Sequence, residues 1–264
     1  MNVFTNSRTE KKIIKEIKKF NKANFNKNKI LKNSIILTEF TTNKSIQASF
    51  SIFLKSLQFL KKSKIYSYNS DLNILNNKIF KKFFYKIYRN FNHEIYSSFN
   101  VEKFILVENN KIIDTKVEKL LKKKKFNIKS KLDLLKLKVN NVWIGDLIYD
   151  SYLSNYSKPT IDVFSLSFKD FYRKFLIAFF FWEEFFKKNN IEAVIGSHSV
   201  YQTAIPMRIG IQNNIEVYQV NFHNIYRLNR KNLFGYNLFT KYKSIFNKFN
   251  TKYQIKALKY SHNR

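Results

Sequence analysis

Residues 34–68 alternate between short apolar runs and a longer stretch with helical spacing. Residues 34–40 and 64–68 are runs typical of buried strands, and the first is rich in β-branched side chains. Between them, in residues 43–62, apolar positions recur every three to four residues. Strand, helix and strand in this order predict a right-handed βαβ unit and thus the start of a parallel sheet.

The last third of the chain repeats this arrangement. Residues 193–195, led by Ile191, and residues 215–220 are again short apolar runs. Residues 203–213 lie between them with helical spacing and with Pro206 in the first turn, where the missing N–H costs little. We therefore expect the runs of both units to lie side by side in one mainly parallel sheet.

The strongest helical pattern covers residues 166–188. It contains the longest apolar run, residues 175–182, which is too short to cross a bilayer because a spanning helix needs about 20 apolar residues. Elsewhere the pattern is weaker. It predicts a helix at 71–91, a strand or buried turn at 104–107, an exposed helix at 114–125, an ambiguous element at 132–137 and a strand at 142–144.

These elements predict the fold class α/β: a Rossmann-like, mainly parallel sheet flanked by helices, with a basic helical N-terminal leader and a basic C-terminal tail. The expected boundaries are 1–33 for the leader, 34–240 for the domain and 241–264 for the tail. The leader either docks one helical face on the domain or binds anionic lipid. Because no apolar signal region follows the polar first residues, we expect a cytoplasmic protein, at most peripheral to the inner face of the cell membrane.

Composition narrows the classes of protein that the sequence allows. The 28 Phe and 16 Tyr exclude disorder for most of the chain. The absence of Cys excludes disulfides, thiolate metal sites and a thiol nucleophile, and four Gly offer little for a Gly-rich phosphate loop. We therefore expect neither a cofactor nor a metal ion.

The charge is strongly positive, with 49 Lys and Arg against 18 Asp and Glu and a net charge of +31. Two interpretations stay open. The favoured residues are those of A/T-rich codons, so a biased genome produces this composition without selection for a polyanion. Alternatively, the charge attracts nucleic acid, anionic lipid or a phosphorylated substrate. Because the lysines are spread along the chain and no nucleic-acid-binding motif is present, we expect no specific nucleic-acid partner.

Candidate chemistry lies where the predicted strands end, because ligands of open α/β sheets bind at the carboxyl ends of the strands. In the segment 195–210, Gly196 permits a sharp turn off the strand and His198 is a candidate base. The helix N-terminus that follows suits an anion such as a phosphate. Substrate-binding candidates at this edge are Gly196, Ser197, Ser199, Tyr201, Arg208, His223 and Arg227. Polar residues also follow the first strand, namely Glu39, Thr41, Thr42 and Asn43. The alternative for the segment 195–210 is structural, with the two serines capping the helix.

The segment 143–153 supplies a second set of candidates. Asp146 and Asp150 lie four residues apart, which places both carboxylates on one face of a helix, where they can transfer protons. Asp146 is the second candidate base, and Gly145, Tyr149 and Asp150 are candidates for substrate binding. Two carboxylates without a nearby His make a poor metal site. A structural salt bridge to a Lys is the alternative.

The order and spacing of five segments resemble those of bacterial capsule and lipopolysaccharide biosynthesis proteins of glycosyltransferase-B-like build. The segments are WIGDLIYDSYL (143–153), KPTID (158–162), VIGSHSVYQTAIPMRIG (194–210), IEVYQVN (215–221) and YRLNRKN (226–232). The resemblance covers roughly residues 34–235. It implies two facing Rossmann-like domains, the first holding a sugar acceptor and the second a nucleotide-sugar. The implied reaction transfers the sugar to a glycan or lipid-linked acceptor.

A complete member of such a family is expected to run well past 264 residues. The resemblance therefore implies that this chain is the acceptor-side, N-terminal half, as a truncated gene, a split protein or a fragment. Donor binding would then belong to a C-terminal half, which in a split protein is a separate chain, so that activity of the chain alone stays open. Two other functions also stay open. One is a non-catalytic partner in polysaccharide assembly. The other is a charge-driven nucleic-acid-binding protein, whose binding would be lost by about 0.2 M salt.

Overall fold

The computed structural model describes residues 8–24, 32–70, 72, 94–123, 126, 128–235 and 242–262. Its strands are β1 (Ile35–Glu39), β2 (Lys64–Asn69), β3 (Val101–Leu106), β4 (Lys138–Val139), β5 (Val142–Trp143), β6 (Ile191–Gly196), β7 (Glu216–Val220) and β8 (Ile225–Leu228). The main sheet has the order β3-β2-β1-β6-β7-β8. All neighbours in it are parallel except β8, which runs antiparallel to β7. The prediction that the four apolar runs lie side by side in a mainly parallel sheet is confirmed.

The described helices are α1 (Arg8–Asn24), α2 (Lys44–Lys61), α3 (Glu94–Ser98), α4 (Lys111–Leu121), α5 (Lys131–Leu135), α6 (Gly145–Tyr156), α7 (Leu166–Lys188), α8 (Ile205–Gln212), α9 (Tyr242–Phe246) and α10 (Thr251–His262). Helices α1 to α8 cover both faces of this sheet, as an α/β fold of Rossmann-like build requires. The helix predicted at 166–188 is confirmed to the residue, and Pro206 lies in the first turn of α8 as predicted. The helix predicted at 71–91 lies outside the described residues.

Two hydrophobic cores form because side chains alternate across β1. Ile35 and Leu37 point into one core, which α4, α5, α6, α7 and α8 cover. Ile36 points into the other core, which α1, α2 and α3 cover. The strand therefore has both faces buried, which explains why its first three residues, 35–37, are all apolar rather than alternating.

The leader helix α1 docks one face on the domain. Ile14 joins the core beneath α2, and the buried Asn21 donates from Nδ2 to Ser98 Oγ at 2.7 Å. Ile13 and Phe20, on the other side of the helix, are about half exposed. Ile13 and Phe20 thus leave the outward face of α1 partly apolar. None of the described helices is long and apolar enough to span a membrane.

Two predicted elements differ in the structure. The strand predicted at 142–144 is confirmed as β5, but it pairs with β4 in a short antiparallel hairpin and does not join the main sheet. The exposed helix predicted at 114–125 begins earlier, as α4, and buries Ile113, Val117 and Leu120. The strand expected near 104–107 is confirmed as β3, and the ambiguous segment 132–137 contains α5.

Candidate functional site

The carboxyl ends of β1 and β6 mark the switch point of the sheet, where successive strands are added on opposite sides. From β1 the chain continues outward to β2 and β3, and from β6 it continues to β7 on the other side. Ligands of open α/β sheets bind outside the carboxyl ends of the strands at such a switch point. Glu39 is the last residue of β1 and Gly196 the last residue of β6, so these two positions define where a site is expected.

Glu39 lies at this point with its carboxylate held by the turn after β6. The backbone N–H of Ser197 donates to Glu39 Oε2 at 2.6 Å, and Ser197 Oγ donates to the same oxygen at 2.8 Å. The backbone N–H of His198 also donates to the carboxylate. Successive backbone N–H groups of this kind form a concavity that binds anions. The turn that the sequence suggested for a phosphate thus holds the chain's own carboxylate.

Burial sets the protonation of this carboxylate. Glu39 is only 6% exposed, and the loss of water around it raises the pKa of its carboxyl group. The hydrogen bonds from Ser197 and the nearby imidazole of His198 act in the opposite direction and lower the pKa, without offsetting the burial. Carboxyl groups in this situation are typical of sites that transfer protons.

Replacing Glu39 by glutamine tests this effect on stability. Because the folded-state pKa is raised above its ordinary value of 4.5, the wild type loses stability as pH rises from 4.5 through the folded-state pKa. The variant has no such group, so its stability should rise relative to that of the wild type over this interval, with a constant difference at higher pH. Urea unfolding of both proteins at several pH values measures the difference.

The control for this comparison is Glu102→Gln, which makes the same change in charge at an exposed position on β3. The difference from the wild type should depend more strongly on pH for Glu39→Gln than for this control, because Glu39 is buried and Glu102 is exposed. A pH dependence for Glu39→Gln no stronger than that for the control would contradict the raised pKa of Glu39.

Two buried tyrosines fix the backbone around Glu39. Tyr96 Oη donates to the carbonyl oxygen of Glu39 at 2.8 Å and accepts from the backbone N–H of Thr41 at 2.9 Å. Tyr68, paired with Glu39 in the register of β1 and β2, donates from Oη to the carbonyl oxygen of Thr203 at 3.1 Å. Burial raises the pKa of both tyrosines well above the ordinary value, with the charge of Glu39 adding to the effect. Both therefore stay protonated and keep donating.

The outer layer of the site comes from the turn between β6 and α8. His198 is exposed, whereas the neighbouring Ser199 is buried and its hydroxyl has no hydrogen-bond partner among the described residues. Tyr201 has φ 62° and ψ 178°, a backbone conformation that is essentially restricted to glycine and costs about 1–3 kcal/mol. Strain of this kind concentrates at functional sites.

The capping role considered for Ser197 and Ser199 is wrong. A short 3-10 helix at Gln202–Ala204 separates the two serines from α8, and neither it nor α8 has a side-chain cap. Ser197 binds Glu39 instead. Gly196 has no positive φ, so the turn itself does not need glycine, but a Cβ atom there would lie 2.5 Å from the sulfur of Met207 and 3.4 Å from Glu39 Oε2.

The structure places Asp146 in a separate buried ion pair. Arg208 donates from Nη2 to Asp146 Oδ2 at 2.6 Å, and both side chains are nearly inaccessible to solvent. Burial raises the pKa of Asp146, and Arg208 offsets this only in part. The structural salt bridge left open for Asp146 therefore exists, with Arg in place of the expected Lys. An aspartate bound in this way is a poor candidate base, so His198 is the better of the two.

The remaining candidates are spread around these two clusters. The pKa of Asp150 is raised, first by burial and second by the charge of Asp146. Tyr149 lies beneath the Lys131 ammonium, 4.6 Å from ring centroid to Nζ. His223 is exposed in the turn after β7, and Arg227, on β8, lies 3.6 Å from a carboxylate oxygen of Glu216. Gly145 contacts the backbone of α5 rather than an open site.

Tyr68 and Tyr96 are site residues that the sequence did not single out, and Glu39 was named after the first strand without a role. Glu39 had one available signal, because it is an acidic residue at the end of a strand that is otherwise fully buried. The tyrosines had none, since each is a common core residue. Among the described residues, no group of three or more His, Asp or Glu is placed to hold a metal ion.

Comparison of the chain with family models, with curated proteins and with solved structures found no match. The functional interpretation is therefore drawn from the side chains at the switch point of the sheet.

Proposed function

We propose that this chain is the acceptor-binding domain of a glycosyltransferase-like protein of surface-polysaccharide assembly. The observation that carries the proposal is the buried carboxylate of Glu39 at the switch point, held by Ser197 behind the exposed His198. The acceptor would be a glycan or a lipid-linked sugar. The donor would be a nucleotide-sugar held by a separate C-terminal half.

His198 has the chemistry to activate an acceptor hydroxyl. Its imidazole is exposed to solvent and close enough to Glu39 for the two charges to interact. When the ring takes the hydroxyl proton, the ionised carboxylate would stabilise the positive charge that forms on it. The hydroxyl oxygen then bonds to the anomeric carbon of the donor sugar, and the donor phosphate leaves with the electron pair of the broken bond.

The surroundings of His198 support sugar binding. Tyr201, three residues after His198, presents a partly exposed aromatic ring and its hydroxyl from a strained backbone. Hydroxyl groups and aromatic faces are the complement of a sugar ring, which has both polar edges and apolar faces. The net charge of +31 supports contact with anionic lipid, where lipid-linked acceptors lie, at the inner face of the cell membrane.

Saccharide binding by the purified protein tests this proposal. Saturation-transfer NMR with a panel of mono- and disaccharides should show binding, at dissociation constants of about 1–10 mM for such small ligands. The variant His198→Ala should lose the signal because the imidazole is the group that contacts the acceptor hydroxyl. Its stability should stay within about 0.5 kcal/mol of the wild type, since the side chain is exposed.

The matched control is His262→Ala, the same exchange in the C-terminal tail outside the proposed site. This variant should bind saccharides as the wild type does. Absence of saccharide binding by the wild type, or equal binding by His198→Ala, would contradict the proposed function.

A further inference from the structure

A cavity of about 620 Å³ lies on the other side of α8 from the turn that carries His198. The β4–β5 hairpin forms one wall, and the last turn of α8 and the segment after β8 form the others. Because α8 runs back from the carboxyl edge of the sheet, its end at Gln212 lies roughly 10 Å from its start at Ile205. The cavity is therefore distinct from the site around Glu39.

The cavity lining is cationic. Lys136, Lys138, Arg208 and Arg230 contribute to it, and none of its described lining residues is acidic. Within the described part of the chain, neither lysine forms an ion pair with a carboxylate. The chain has 7 Arg among its 49 basic residues, and two of these seven line this one cavity. Two lysines at one cavity are expected in a chain so rich in lysine. Two of only seven arginines at one cavity are not explained by the composition.

Arg208 is held rigidly at the inner wall of this cavity. Its guanidinium lies over two aromatic rings that contact each other edge to face, 5.1 Å from the centroid of Trp143 and 5.0 Å from that of Phe234. Asp146 and the carbonyl oxygen of Trp143 accept from its two terminal nitrogens. The buried Nε has no partner among the described residues. Arg208 therefore fixes the inner wall, and the exposed Lys136, Lys138 and Arg230 are the side chains that can contact a phosphate, which accepts several hydrogen bonds at once.

We propose that this cavity binds a small organic phosphate with a planar group. The phosphate would lie among Arg230 and the two lysines, and the planar group would lie along the half-buried ring of Trp143. Aromatic and apolar walls with a few converging charged groups are the usual composition of small-molecule sites. This site goes beyond the proposed sugar-acceptor function and does not depend on it.

Adenosine monophosphate is the probe, with inorganic phosphate and adenosine as the comparison ligands. The chain has two Trp, so a nitrogen-labelled sample gives two indole N–H resonances, and Trp143→Phe assigns them. Adenosine monophosphate should shift the Trp143 resonance and leave that of the fully buried Trp182 in place. It should bind at least about tenfold more tightly than either comparison ligand, since each of them lacks one of the two recognised groups.

Two double variants distinguish binding at this cavity from attraction by the overall positive charge of the chain. The variant Lys136→Gln with Lys138→Gln should weaken the binding of adenosine monophosphate about tenfold. The control variant is Lys119→Gln with Lys122→Gln, in which both lysines are exposed, one in α4 and one just after it. This control should weaken the binding less than about twofold. Equal losses in the two variants would show attraction by bulk charge only and would overturn the proposal. Absence of a shift at Trp143, or equal affinity for inorganic phosphate or adenosine, would overturn it as well.

Discussion

Replacement of Asp146 by alanine is expected to lower the free energy of unfolding by about 3–5 kcal/mol. The variant leaves the Arg208 guanidinium charged and buried without its carboxylate, since the native pair joins Nη2 and Oδ2 at 2.6 Å with both side chains out of solvent. Removing one partner of a buried pair exposes the full desolvation cost of the other. Urea denaturation of the two proteins measures the loss.

A double variant and a surface variant complete this test. Asp146→Leu combined with Arg208→Met removes both charges and should restore most of the stability, because apolar residues of similar size replace a buried pair at little cost. Asp170→Ala removes one partner of an exposed ion pair with Lys174 and should cost less than about 1 kcal/mol. A loss for Asp146→Ala as small as that for Asp170→Ala would contradict the buried pair.

Gly145→Ala is expected to destabilise the protein by about 3 kcal/mol. Gly145 begins α6 with an ordinary negative φ, so the backbone itself permits a side chain. A Cβ atom there, however, would overlap the carbonyl oxygen of Leu134 in α5. Backbone atoms cannot move aside as the end of a flexible side chain can, so α5 and α6 would have to separate. Thermal and urea unfolding of the variant measure the cost.

The predicted loss of stability is opposite in sign to the usual effect of replacing glycine by alanine in a helix. In a helix, alanine is ordinarily about 1 kcal/mol more favourable than glycine. Ser154→Ala, at an exposed position of the same helix, serves as the control and should change stability by less than about 0.5 kcal/mol. A gain in stability for Gly145→Ala would show that α5 and α6 are not in close contact at this residue.

Local patterns were sufficient to predict the central sheet and the longest helix. Residues 34–40 and 193–195 are apolar because β1 and β6 have both faces buried, and this leaves few alternatives to a parallel sheet. Helix α7 begins and ends where its apolar periodicity does. The hairpin of β4 and β5 was not predictable in this way, since a strand of two residues carries too little pattern to show which sheet it joins.

The candidate site was only partly predictable for a related reason. Gly196 to Ser199 were singled out because they directly follow a strand, which is a local feature. The hydrogen bonds from Ser197 to Glu39 join residues 158 positions apart, and no spacing in the sequence reveals them. The same holds for Asp146 and Arg208, which are 62 positions apart. The sequence left a salt bridge open for Asp146 but suggested a Lys as its partner, because Arg208 comes from another helix.

The central claim is that His198 and the neighbouring carboxylate of Glu39 form a sugar-binding site. The most direct test is to observe the histidine rings by NMR during a saccharide titration. The chain contains four His, so nitrogen-labelled imidazole resonances can be assigned by single His→Ala variants. We expect the His198 resonance to shift progressively with saccharide concentration, and the shift to be altered in Glu39→Gln. The resonance of His262 should not move. A titration in which His198 does not respond, or in which His262 responds equally, would contradict the assignment of this site.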